Sequence, residues 1–385
     1  MIALTASALF TPLQKIEQPV VLLEDGKILE IDPRAALAIP SGCRIVDFGD
    51  AILAPTYMDI HIHGGAGHDV METDPGALPA LERLLAQHGV GGYLPTTITA
   101  PVEQTLGALE RLADAIESGE ATPGEGGRAR PLGIHMEGPF LSHAKRGVHP
   151  PESILPPTIG MFNRFWEAAR GRIRLMTIAP ETEGAQEVIA EAARRGVCVS
   201  IGHSDANQEA ARAAIDKGAR HATHTFNAMR ALDHREPGIL GVVLSDDRIS
   251  ADIIADGIHV DPAIVKLFIR AKGAAGAVLI TDALSATGMP DGRYRLGTLE
   301  LDVKGGRCTS RGILAGSVLT LDRAVRNVMQ FAGCDLQQGV RFASLNPAKA
   351  AGLEKNGVLE PAAHADIVVL DRNGGVRKTI IAGAL

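Results

Sequence analysis

Short apolar runs recur along the chain, and each ends in small or polar residues before an Ala/Leu/Glu/Arg-rich stretch with helical spacing. The runs predict strands at Met58–Ile62, Gly92–Thr96, Leu132–Met136, Arg174–Ile178, Val197–Ile201, His221–His224, Ser250–Ala255 and Ala277–Thr281. Apolar residues at i, i+3 and i+4 predict helices between them, at Ala77–His88, Gln186–Arg195 and Gln208–Lys217 for example. Strands alternating with helices build a parallel sheet. About eight such units favour a closed α/β barrel, a TIM-like (β/α)8 fold, and no GxGxxG follows the first strand to favour an open doubly wound sheet.

The two ends have a different pattern. Val20–Leu23 and Ile28–Ile31 flank Asp25-Gly26, a hairpin signal, and Arg44–Phe48 follows. At the far end Ala365–Leu370 and Thr379–Ala382 flank a turn at Asn373-Gly374-Gly375. Neither end can bury a sheet alone, so the two are expected to pair into one small β-sandwich of residues 1–54 plus 355–385, around a barrel of 55–354. Two separate terminal decorations are the plainer alternative. The opening MIALTASALF lacks a basic segment and a long apolar core, and reads as an edge strand rather than a signal peptide. One flexible loop is expected, at Glu120–Arg130.

Composition narrows the function. The chain has 385 residues, 45% hydrophobic and 22% charged, a profile of a folded enzyme rather than a disordered chain. A formal net charge of −7 argues against coating nucleic acid, while leaving room for a local anion pocket. No run of about 18 apolar residues predicts a membrane span. Cys43, Cys198, Cys308 and Cys334 form no CxxC pair, which suits a reducing cytoplasm and argues against a disulfide framework or thiolate metal site.

Candidate chemistry sits where the strands end. Barrel enzymes gather their sites at the C-terminal strand ends. The first strand there carries Asp59-Ile-His61-Ile-His63; residues i and i+2 of a strand share a face, so both His61 and His63 are expected to point inward. The third carries His135-Met-Glu137, the fifth His203, the sixth His224, the seventh Asp256 and His259, the eighth Asp282. One HxH pair proves little, since 13 histidines in 385 residues give about 0.4 by chance. A lone histidine at a strand end is usually a hydrogen-bonded structural residue. The recurrence at successive strand ends is what points to a divalent ion, which prefers such nitrogen and oxygen ligands. Three protein ligands and an open position activate water and polarise a carbonyl, and a nearby free carboxylate moves the proton. No G-x-S-x-G competes with this reading.

The longer strings HMEGPF (135–140), KRGVH (145–149), IGHSDA (201–206), HTFNAM (224–229), REPG (235–238), ADGIHV (255–260), TDALSATG (281–288) and LAGS (314–317) resemble the N-acetylglucosamine-6-phosphate deacetylases of the amidohydrolase superfamily. The resemblance runs from about Pro55 to Pro347. It implies hydrolysis of the acetamide of N-acetylglucosamine 6-phosphate to glucosamine 6-phosphate and acetate. It implies that Glu137, His203 and His224 hold the principal metal, Glu137 standing where many amidohydrolases carry a carboxylated lysine. Asp282 is then general base and acid, and His149 polarises the acetyl carbonyl. Asn227, Ala228 and Arg235 match a phosphate-binding segment, and His259 the sugar pocket. Val148, Asp256, Leu314, Ala315 and Gly316 match other substrate-contacting segments. The equivalent arginine reaches the neighbouring subunit's site, which implies a homodimer. His61 and His63 are kept where some members lack them, so one or two ions per subunit are expected, zinc first, with iron, manganese or cobalt as alternatives. Thr56 departs from a typical glycine. Asp205 reads as support for a ligand, His135 as packing, and His68, His88, His143, His234 and His364 receive no role. The competing readings are the N-acetylgalactosamine-6-phosphate epimer, another amidohydrolase reaction, and a catalytically silent barrel kept as a scaffold.

Overall fold

A computed structural model describes residues 1–122, 127–297 and 299–385. Residues 123–126 of the expected 120–130 loop lie outside the described residues. The eight strands are β1 (Tyr57–Ile62), β2 (Val90–Thr97), β3 (Ile134–Glu137), β4 (Ile173–Ile178), β5 (Cys198–Ile201), β6 (Ala219–Ala222), β7 (Ala251–Ile254) and β8 (Ala277–Ile280). Parallel ladders join β1 through β6 in sequence order, and β7 to β8. Backbone hydrogen bonds complete the ring. The N–H groups of Ala222 and Thr225 donate to the carbonyls of Ser250 (3.0 Å) and Asp252 (2.9 Å), and Asp282 N–H donates to the His61 carbonyl (2.9 Å). The result is the expected (β/α)8 barrel.

These strands read as runs rather than alternations because helices cover the outer face and side chains fill the inside. Every residue of β1 and β2 is buried. β2 contains Pro95, which cannot donate to a ladder, and the register against β1 shifts between Tyr93 and Pro95. The expected helices occur at Ala77–Gln87, Ala185–Arg194 and Gln208–Asp216. The last starts where the Asn207 side chain accepts the Ala210 N–H at 2.9 Å, soon after His203. No helix among the described residues is long and apolar enough to cross a membrane.

Thr56, the departure from the resemblance, packs against β2. A Cβ on Gly91 would lie 2.3 Å from Thr56 Oγ1, so Gly91 is the residue that makes room for a side chain there. Gly91→Ala is expected to destabilise the fold by about 1–3 kcal/mol through overpacking. Thr56→Gly in the same chain should restore much of the loss, as read from thermal or urea unfolding.

The termini form two sheets. One has the order Lys27–Pro33, Pro19–Glu24, Ile2–Thr5, Arg44–Asp47; the other has Val376–Ile380, Ile367–Leu370, Ile52–Pro55, Ala8–Phe10, Lys15–Glu17. Ile367–Leu370 pairs antiparallel with Ile52–Pro55, which brings the two ends of the chain into one sheet. Leu4, Leu9, Val21, Leu23, Leu53, Ile367 and Val369 share a core between the sheets. Two expectations need correction. The opening strand is interior, not an edge: Ile2–Thr5 pairs with Pro19–Glu24 on one side and Arg44–Asp47 on the other. Both its faces are covered, Leu4 by the core and Ala3 by a patch against which Leu37 and Ile39 pack. The last strand begins earlier than expected, at Val376, because the Asp371 carboxylate accepts the N–H groups of Asn373 and Gly375 (both 2.8 Å) and closes the turn tightly.

One layer has no counterpart in the sequence reading. After β8 an antiparallel sheet of Gly292–Leu296, Leu299–Lys304, Arg307–Ser310 and Ile313–Leu314 leads back to the barrel mouth.

Candidate metal centre

At the C-terminal end of the barrel, His61 lies near the end of β1 with His63 just beyond it, and Glu137 closes β3. His203, His224 and Asp282 follow β5, β6 and β8. All three have a left-handed backbone, with φ of 47°, 29° and 50°. Non-glycine residues rarely adopt this region, and such strain persists where the surroundings over-determine it. The chain leaves the barrel wall at these residues, and their side chains meet over the strand ends.

Glu137 is the hub. Its Oε1 lies 3.1 Å from His224 Nε2, 3.2 Å from His203 Nε2 and 3.4 Å from His61 Nε2. Its Oε2 lies 3.2 Å from His63 Nε2 and 3.4 Å from His149 Nε2. Asp282 Oδ1 stands 3.2 Å from His63 Nε2 and 3.5 Å from His61 Nε2. All of these residues are buried.

The donor set fits a divalent cation. Two pairs of ring nitrogens face each other, His61 with His63 at 3.2 Å and His203 with His224 at 3.0 Å. His63 Nδ1 lies 2.9 Å from the Thr96 carbonyl and His203 Nδ1 2.8 Å from the Lys145 carbonyl. A carbonyl only accepts, so both rings carry a proton on Nδ1, and when neutral each turns the Nε2 lone pair into the cluster. Burial opposes a charged imidazole at His63, yet Asp282 and Glu137 outweigh it and raise its pKa to about 10. Burial likewise opposes charge at His224, and Glu137, Asp282 and Asp252 raise it to about 9. Burial lowers His203 to about 4. Burial favours a neutral Glu137, but the surrounding imidazoles hold it well below the carboxylate range. Glu137 and Asp282 thus favour positive charge beside them, carried by His63 and His224 as imidazolium, and a bound ion would supply that charge with the rings neutral. Two groups of donors are close enough to act together: His61, His63 and Asp282, and Glu137, His149 and His203.

A cleft of about 330 Å³ opens above the cluster. Val148, Asn227, Ala228 and His259 line it, and so do Leu314, Ala315 and Gly316, brought in by the extra antiparallel sheet. Gly316 has φ +44°, and a Cβ there would lie 2.8 Å from the Asp282 carbonyl oxygen, so a glycine lets this segment close on Asp282. Phe226 and Ala228 also have positive φ, 81° and 50°.

Other candidates sit elsewhere. Asp256 does not line the cleft: its carboxylate accepts from the N–H groups of Ile258 and His259 (both 2.8 Å) and meets His259 Nδ1 at 2.7 Å, so it fixes the ring that does. Arg235 lies on an exposed segment, 231–236, outside this chain's cleft. Asp205 pairs with Arg230 (3.2 Å) and Lys145 (3.6 Å) near the rim. His135 packs edge-on against His61, with ring centroids 4.6 Å apart, and its Nε2 meets Thr177 Oγ1 at 2.8 Å.

Several supporting residues had no assigned role in the sequence. Asp252 of β7 accepts the His224 N–H and faces His221 Nε2 at 2.9 Å. Asp59 of β1 accepts the Thr281 hydroxyl at 2.6 Å, and burial pushes its pKa up to about 6. Thr99 touches His149. The available signal was a carboxylate inside an apolar run, as in Asp252-Ile253-Ile254. A larger hollow of 410 Å³, lined by residues of Ala77–Gln87 and Val102–Ala121, lies away from this chemistry. Its arginines are engaged, Arg128 with Glu82 (3.7 Å), Arg130 with Asp366 and Arg111 with the Met71 carbonyl (2.8 Å).

Known proteins share this arrangement of chain. The amidohydrolase family profile matches residues 52–385. An N-acetylgalactosamine-6-phosphate deacetylase of Escherichia coli O157:H7 is 38% identical, over 94% of this chain and 95% of its own. The N-acetylglucosamine-6-phosphate deacetylase of Homo sapiens is 40% identical, over 88% of this chain and 84% of its own. A mutant N-acetyl-D-glucosamine-6-phosphate deacetylase from Mycobacterium smegmatis, solved in complex with N-acetyl-D-glucosamine-6-phosphate, superposes with a TM-score of 0.92 at 34% identity, covering 99% of this chain and 98% of that one. The profile and the near full-length identity agree with the barrel and its donor cluster: the chain belongs to the amidohydrolase family.

Proposed function

We propose that the protein hydrolyses the acetamide of N-acetylglucosamine 6-phosphate to glucosamine 6-phosphate and acetate. The observation that carries this reading is the buried Glu137 hub, ringed by imidazoles and opening with Asp282 into a single cleft. Relatives from bacteria and vertebrates bear the gluco name, and one bears the galacto name. A divalent ion held by Glu137, His203 and His224 would supply Lewis acidity toward the acetyl carbonyl and make water more acidic. His61 and His63 would serve a second ion. Zinc is the expected metal, with iron, manganese or cobalt as alternatives.

The chain's own groups do the rest. Asp282, in the cleft wall, takes a proton from the attacking water and passes it to the leaving nitrogen. His149 turns Nε2 toward the cluster and hydrogen-bonds the carbonyl oxygen as negative charge builds on it. His259, locked by Asp256, lines the sugar pocket together with Val148 and Leu314–Gly316. Asn227 and Ala228 bind the phosphate, and Arg235 extends from its exposed segment to the phosphate in a second copy's cleft, making a homodimer. Residues 1–54 and 355–385 are proposed as one β-sandwich unit and 55–354 as the catalytic barrel. The four cysteines are free, in keeping with a cytoplasmic setting.

Acetate release from N-acetylglucosamine 6-phosphate, N-acetylgalactosamine 6-phosphate and unphosphorylated N-acetylglucosamine tests the reading. The gluco phosphate is expected to turn over fastest. Faster turnover of the galacto phosphate would reassign the epimer, and equal rates with and without phosphate would remove the phosphate site. Arg235→Ala is expected to raise KM for the phosphorylated substrate about tenfold or more, the worth of a charge-assisted hydrogen bond, with kcat changing far less.

A further inference from the structure

We infer that Thr99 is a positioning residue for this reaction, holding His149 with its proton on Nε2 so that the ring donates a hydrogen bond into the cleft instead of ligating the metal. The inference rests on the proposed deacetylation. His149 stands close enough to Glu137 and His203 to be counted a ligand by distance alone. The atom on the far side of the ring separates the two roles. His63 and His203 each place Nδ1 against a carbonyl oxygen, which leaves Nε2 as a lone pair. His149 instead places Nδ1 against Thr99, 2.8 Å from the hydroxyl and 3.4 Å from the backbone N–H.

An N–H cannot accept, so the acceptor form of Nδ1 is the one that uses both contacts, and the proton then sits on Nε2. The Thr99 hydroxyl has no other hydrogen-bond partner among the described residues, which leaves its hydrogen for the ring. A neutral donor near a carbonyl oxygen stabilises negative charge as it develops there.

The neighbouring backbone is shaped for this contact. A Cβ on Gly138, the residue after Glu137, would lie 2.3 Å from Thr99 Oγ1, and Gly138 has φ +79°. The hydroxyl thus occupies space that only glycine leaves open, beside the hub carboxylate. Both Thr99 and His149 are buried, 3% exposed each, so the contact is shielded from bulk water.

The test combines a spectrum with kinetics. In zinc-loaded protein carrying 15N-labelled imidazoles, the His149 signals, identified by their loss in His149→Asn, should report a protonated Nε2 and a bare Nδ1. Thr99→Val keeps the side-chain shape and removes the hydroxyl. It is expected to lower kcat about 10–100-fold, with KM within about twofold and bound metal unchanged, because a donor that strays loses its aim at the transition state. Thr99→Ser should recover most of the rate. A bare Nε2 in the wild type, an unchanged kcat in Thr99→Val, or a serine variant as impaired as the valine one would each overturn the inference. If the valine variant does not fold, Thr99→Ala against Thr99→Ser gives the same comparison. Absence of acetate release from the wild type would sink the proposed function, while the spectrum would still decide the state of His149.

Discussion

Asp282→Asn is expected to lower kcat by about 10²–10⁴-fold while the protein keeps its principal metal. That range is the usual contribution of a placed general acid or base. Asparagine matches the carboxylate in shape but cannot take a proton from water. Asp282 approaches His61 and His63, whereas His203 and His224 gather on Glu137, so the ion held by Glu137 should survive the change. Steady-state kinetics and metal analysis on one preparation check both halves. A near-normal rate would take Asp282 out of the mechanism, and loss of the principal ion would recast it as a ligand.

Glu137→Gln should have the larger effect, because it removes the hub. Five imidazole nitrogens stand within 3.1–3.4 Å of its two oxygens, and an amide offers them one acceptor, no charge and an NH₂ that competes with their lone pairs. Metal affinity is expected to fall by more than about 100-fold, beyond the 10–100-fold typical of losing an outer hydrogen-bond partner of a ligand. Activity should fall with it. Metal bound only to the folded state raises stability by mass action, so the wild-type Tm should rise with added zinc and the variant's should scarcely respond. A variant that purified with a full complement of metal would show that Glu137 is not a ligand.

The two substitutions probe parts of the site that differ in how openly the sequence displayed them. His61 and His63 were legible because strand geometry puts i and i+2 on one face, and their rings do meet. Asp256 was legible as a residue but not as a role: its carboxylate is taken up by His259 and two backbone N–H groups, a local turn that no string of letters separates from a substrate contact. Thr99 and Asp252 were hidden. A threonine just past a strand has no distinguishing pattern, a carboxylate inside an apolar run names no partner, and the atoms they serve are 50 and 28 residues away in the chain. The antiparallel sheet after β8 was missed for another reason. Gly292–Leu296 is mostly exposed, Leu299–Lys304 and Arg307–Ser310 alternate, and none forms the apolar run that marked the barrel.

From the sequence alone follow the alternation of strand and helix, the closed parallel barrel and the imidazoles and carboxylates at its mouth. Backbone periodicity and side-chain chemistry are local properties, written in neighbouring residues. Only the tertiary structure decided that the Ile2–Thr5 strand is interior, that Arg235 stands outside its own chain's cleft, and which nitrogen of His63, His149 and His203 faces the Glu137 cluster. Those depend on what lies across the ring or across the sheet. The Thr96 carbonyl sets His63, the Lys145 carbonyl sets His203, and Thr99 is placed to set His149. Proton position follows the partner, and the partner is chosen by folding.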